Sequence, residues 1–92
     1  MADVTMTSSA AEGQLAYAKA LETRGWDVNL SYFNGTTPDL PPRRFHQCHV
    51  EGRKAGRLLR LALEEDGSSS KGSLYWADGA VNSITGASPG NC

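Results

Sequence analysis

The stretch RLLRLALEED, residues 57–66, sets the limits on how this chain can be assembled, because it reads as a helix or as a strand with opposite consequences. Leucine and alanine favour a helix by intrinsic propensity. The charges oppose it. In a helix from Arg53 to Asp66, Arg53 and Lys54 would lie at the positive end of the peptide dipole, and Glu64, Glu65 and Asp66 at the negative end. Each exposed mismatch costs up to about 1 kcal/mol, and no Ser, Thr, Asp or Asn is placed to cap the first turn. Read as a strand, Arg57, Leu59, Leu61 and Leu63 point one way and Leu58, Arg60, Ala62 and Glu64 the other. That pattern suits a sheet with one buried face. VEGRKAGR, residues 50–57, then supplies a hairpin turn. The strand is the preferred reading of 57–66, with the helix as the alternative.

Upstream, SAAE at residues 9–12 is a capping box, in which Ser9 accepts from the Glu12 amide and Glu12 reaches back to the Ser9 amide. It predicts a helix over 10–24, with Ala11, Leu15, Ala18 and Leu21 as its apolar stripe and Gly25 as its stop. WDVNLSYF, residues 26–33, alternates apolar and polar residues and predicts a strand. NGTTPDLPP, residues 34–42, holds three of the four prolines and predicts a loop. RRFHQCHV, residues 43–50, predicts a second strand, with Phe45 on one face and Cys48 and Val50 on the other.

After the third strand, DGSSSKG at 66–72 reads as a Ser/Gly loop. In SLYWADGAVNSITG, residues 73–86, the positions Leu74, Ala77, Val81 and Ile84 share a helical face, Ser70 or Ser73 can cap the start, and Gly86 can end it. The expected fold is α+β. Its order is helix-strand-strand-strand-helix, with a three-stranded antiparallel sheet and two helices packed on one face. One domain would span 9–86, between a disordered tail at 1–8 and a C-terminal tail at 87–92.

Ninety-two residues allow one domain with a small core. A net charge of −1 gives no overall attraction to nucleic acid or acidic membranes. The distribution is uneven, however. Six of the nine basic residues lie between Arg43 and Arg60, opposed there only by Glu51, for a local charge of about +5. No apolar run approaches the ~20 residues of a membrane span, so no membrane association is expected. The start MADVTMTSSA has neither the basic opening nor the apolar centre of a secretory signal. An intracellular, cytoplasmic and reducing setting is therefore expected. Cys48 and Cys92 do not make a disulfide framework and read as free thiols, with a single bridge between them as the alternative.

The predicted order of elements resembles the double-stranded RNA-binding domain family over about residues 10–86. LAYAKALETRGW resembles that family's first helix and the turn into its first strand. RRFHQCHVEG resembles its second strand and the glycine turn after it. SSSKGSLYWADGAV resembles the Ser/Lys-rich start of its second helix, with Ala77 as the small residue packed on the sheet. The resemblance implies a module that recognises duplex RNA by shape and phosphate contacts, without catalysis. Its three contact regions fall here on Glu12 and Gln14 in the first helix, on Arg43 and Arg44 at the end of the loop, and on Lys71 before the second helix. Two departures stand out: the loop reads Thr-Pro-Asp and then Pro-Pro where the family has Gly-Pro followed by His, and Lys71 stands almost alone where the family has several lysines.

Other readings compete with this one. His46 and Cys48 share a strand face while His49 points away, and two ligands are too few for a structural zinc site. A Cys48–His nucleophilic pair would lack a group to orient its base. No catalytic residue, metal or cofactor is therefore expected. Tyr75 and Trp76 lie off the expected helix's apolar face and are candidate anchors for a protein partner. The alternative function is a small protein-binding module or inhibitor protein, of phage or host regulatory type, without nucleic-acid binding. A homodimer through a free sheet edge is compatible with either reading.

Overall fold

The computed structural model of the chain describes residues 2–78 and 88–92. Helix α1 (Ala10–Thr23) starts where the capping pattern places it, with Ser9 Oγ accepting from the Glu12 amide at 3.2 Å. Glu65 adds a second cap from a distant part of the chain: its Oε1 accepts from the Ala10 amide at 2.8 Å. At the other end Gly25 adopts a φ of 84°. The Gly25 and Trp26 amides donate to the Glu22 and Leu21 carbonyls at 3.0 and 3.1 Å, which is a Schellman closure. Its hydrophobic pair, Leu21 and Trp26, lies against Gly52.

The strands are β1 (Ala2–Met6), β2 (Asp27–Thr36), β3 (Arg44–Lys54), β4 (Arg57–Asp66), β5 (Ser69–Asp78) and β6 (Ser88–Pro89). They form one antiparallel sheet in the order β1-β5-β4-β3-β2-β6. The strand reading of 57–66 therefore holds. Its turn is tighter than VEGRKAGR suggests. Ala55 and Gly56 both take positive φ, 50° and 76°, and connect β3 to β4 as a two-residue turn of the I′ kind that matches strand twist.

Three sequence expectations are corrected. A three-stranded sheet with two helices is replaced by a six-stranded sheet with one helix among the described residues. Residues 69–78, expected as loop and then helix, are β5, while residues 79–86 of that expected helix lie outside the described residues. Residues 2–6 and 88–89, expected as tails, pair as β1 and β6. The physical reason is clearest in β5. Ser73, Tyr75 and Trp76 have only middling helix propensity, and aromatic residues suit a pleated surface. β4 offers them an edge whose pairing runs unbroken from Arg57 opposite Asp78 to Asp66 opposite Ser69. Closing that edge outweighs a local helical stripe.

The core lies between α1 and one face of the sheet. Ala10, Ala18 and Leu21 of the helix meet Cys48, Val50, Leu61 and Leu63, each of them buried. Full burial of one such leucine is worth about 1.5–3 kcal/mol. Ala18 and Leu21 of the expected stripe are buried, but in the first half of α1 the buried positions are Ala10 and Gln14 rather than Ala11 and Leu15, and Leu15 is 48% exposed. Gly13 permits this arrangement, since a side chain there would run into Met6 and Leu63. The other face of the sheet carries the odd-numbered residues of β3, including His49, Glu51 and Arg53.

Candidate functional site

The expected RNA-contact residues separate into different environments. Gln14 is 0% exposed. Its Nε2 donates to the Ser31 and His49 carbonyls, each at 3.0 Å, and its Oε1 accepts from the Cys92 amide at 3.0 Å. It ties α1 to β2, β3 and the chain after β6 and presents no polar atom to a ligand. Glu12 is exposed in the first turn of α1.

Arg43, Arg44 and Lys71 do come together, along a groove of about 480 Å³ at the end of the sheet where β2 and β3 project past the β4–β5 turn. The two segments meet because the β2–β3 hairpin is long. Its loop is closed by the Thr37 amide on the Arg43 carbonyl at 2.7 Å and the Arg43 amide on Thr37 Oγ1 at 3.0 Å. The same groove is lined by Glu64, Glu65 and Asp66. Three carboxylates thus face three cations, and the field that would draw a phosphate is largely cancelled. Arg43 also lies 3.7 Å from Asp39 in an exposed ion pair, which is weak.

Tyr75 and Trp76 lie at the opposite end of β5, on opposite faces of the strand. Trp76 is 52% exposed and Tyr75 38%. The β1 ladder reaches only as far as Ala2 opposite Leu74, so Trp76 stands beside a stretch of β5 that the described part of β1 does not cover. On the other face the Arg60 guanidinium lies over the Tyr75 ring, 6.0 Å from its centroid. Leu40, in the β2–β3 loop, is the most exposed large apolar side chain among the described residues and lies at the groove end, away from Trp76.

Two features escaped the sequence reading. Cys48 and Cys92, expected as thiols with a bridge as the alternative, are joined in a disulfide that pins the chain after β6 to the middle of β3. His46 lies on the same side of β3, and its ligand atom and the two sulfurs are all within 4.8 Å of one another. Its Nδ1 bonds to Asn34 Oδ1 across the β2–β3 pair. The His46–Cys48 spacing gave a partial signal; nothing local in the sequence brings Cys92 to them.

His49 is the second feature. It is 6% exposed, and neither ring nitrogen has a hydrogen-bond partner among the described residues. Burial, and then the Arg60 charge, push its pKa below the ordinary histidine value of 6.5. The sequence showed correctly that it faces away from His46, but not that it is buried there.

Comparison with protein-family models, with curated proteins and with solved structures finds no match to this chain. The α+β expectation is corrected: the fold is mostly β, with one helix among the described residues laid on a six-stranded antiparallel sheet. Among its described residues no helix is long and apolar enough to cross a membrane.

Proposed function

We propose that the protein is a small binding module for a protein partner and acts without catalysis. The observation that carries this reading is Trp76, half-exposed beside a stretch of β5 that the described part of β1 does not cover, with Tyr75 on the other face of the same strand. Aromatic side chains anchor protein interfaces, and a free strand edge offers backbone hydrogen bonds to an extended partner segment. Cys48, the nucleophile considered from sequence, has its sulfur bonded to Cys92 and is not a free thiol in this state. A second copy of the chain pairing along this edge is one form that the partner could take.

A photo-crosslinking side chain placed at Tyr75 tests the reading, since it would attach to the bound partner. Trp76→Ala should then weaken that partner's binding at least tenfold, while Arg43→Ala and Arg44→Ala leave it unchanged.

Duplex RNA is the second reading, favoured by one observation: Arg43, Arg44 and Lys71 line a common groove. A titration with duplex RNA at two salt concentrations separates the two. Binding that weakens with salt and is lost on removing these three charges would replace the protein reading with the RNA one.

A further inference from the structure

We infer that His46, Cys48 and Cys92 form a redox-gated site for a thiolate-seeking transition metal, with Zn²⁺ as the ion that suits them best. The three ligand atoms come from two distant parts of the chain yet lie within 4.8 Å of one another. In a tetrahedral zinc site with Zn–S of about 2.3 Å and Zn–N of about 2.0–2.1 Å, ligand atoms sit about 3.5–3.8 Å apart. The cluster is therefore within a small adjustment of that geometry once the sulfurs part. Cys48 and His46 are fixed on one face of β3, two residues apart. Cys92 is exposed and outside any strand; its amide is held by Gln14 Oε1, so the adjustment falls on its side chain.

The surroundings of His46 add a second argument. An amide oxygen only accepts, so His46 Nδ1 donates to Asn34 Oδ1, and in the neutral ring Nε2 is then the nitrogen able to bind a metal. Metal-binding histidines are commonly oriented by a partner of this kind on the other ring nitrogen. Two thiolates and an imidazole select Zn²⁺ or Cu⁺ over Mg²⁺ or Ca²⁺. Three protein ligands leave a fourth position for water.

The disulfide and the metal exclude each other. The bridge has no thiolate to offer. Reduction by a phosphine in water breaks the S–S bond: the phosphorus is oxidised and takes the water oxygen, and the two sulfurs take its protons. Each thiol then releases its proton as it binds the metal.

The test is a titration of the phosphine-reduced full chain with Co²⁺, excluding oxygen, followed by its thiolate-to-cobalt absorption. One Co²⁺ per chain is expected, displaced by Zn²⁺. The oxidised chain should give no such band, and Cys92→Ser should abolish it. His46→Ala should weaken binding about tenfold or more, and Asn34→Ala should weaken it less. Circular dichroism of the reduced chain shows whether the sheet persists. The inference is overturned if the reduced chain gives no thiolate–cobalt band. It is equally overturned if His46→Ala binds as tightly as the parent, or if reduction dissolves the sheet and binding ignores His46.

Discussion

Gln14 and His49 are both buried polar side chains, and they lie on opposite faces of the same strand pair, yet the protein treats them in opposite ways. Gln14, between α1 and the sheet, has both donor hydrogens and its oxygen engaged with Ser31, His49 and Cys92. One of its acceptors is the carbonyl of His49 itself. The His49 ring, on the far face, is 6% exposed with neither nitrogen paired among the described residues. A satisfied buried amide specifies how helix, sheet and chain end fit together. A buried imidazole with no partner among the described residues is favoured in its neutral form.

The largest effect follows from removing the satisfied group. Gln14→Leu roughly keeps the volume but strands two carbonyls and one amide, of which the His49 contact is buried and the Ser31 and Cys92 contacts part-buried. A cost of about 2–3 kcal/mol in unfolding free energy is expected, at the upper end of the range for orphaned polar groups. Urea denaturation measures it. A loss below ~0.5 kcal/mol would show that water reaches these groups and that Gln14 does not lock the helix to the sheet.

The His49 side of the comparison is sharpened by pH. Its folded-state pKa is lowered, by burial first and by Arg60 second. The folded protein therefore resists the proton that the unfolded chain accepts near pH 6.5. Stability is full above that pH and falls as pH drops toward the folded pKa, by up to about 1.4 kcal/mol per pH unit. Glu51, the nearby carboxylate on the same face, is engaged by Arg53, with Oε1 at 2.7 Å from Nη2. Denaturation at pH 7.5, 6.5 and 5.5 should show this loss in the parent protein and a flatter profile in His49→Leu. Parallel profiles would mean that His49 finds its proton's partner in the folded state.

How much of this was legible in the sequence depends on whether the deciding contact is local. The helix was readable because the Ser9 hydroxyl accepts from the nearby Glu12 amide and Gly25 closes the last turn on carbonyls within a few residues. The strand at 57–66 was readable because end charges argue against a helix whatever the fold. β5 was not, because the same ten residues carry a helical stripe, and only the unbroken edge of β4 decides between the two. Gln14 was read as a surface contact for the same kind of reason. Its partners Ser31, His49 and Cys92 lie 17 residues away or more. Arg43, Arg44 and Lys71 line one groove, but the acidic end of β4 returns to the same groove through the β4–β5 turn, and only the topology reveals that.

Glu65 gives the smallest effect and bears on both halves of the molecule. Its Oε1 holds the Ala10 amide at 2.8 Å at the positive end of α1, and its carboxylate is one of three lining the groove with Arg43, Arg44 and Lys71. It is exposed, unlike Gln14 and His49, so water stands ready to replace the lost contact. Glu65→Gln keeps an acceptor for the Ala10 amide and removes only the charge. A loss of about 0.3–1 kcal/mol is expected, shrinking as salt is added, because a charge at a helix terminus is screened by ions. The same variant shifts the groove toward net positive charge. If cancellation by these carboxylates is what keeps phosphate away, Glu65→Gln should bind duplex RNA more tightly than the parent at low salt. Unchanged RNA binding together with the expected loss of stability would assign Glu65 to the helix alone.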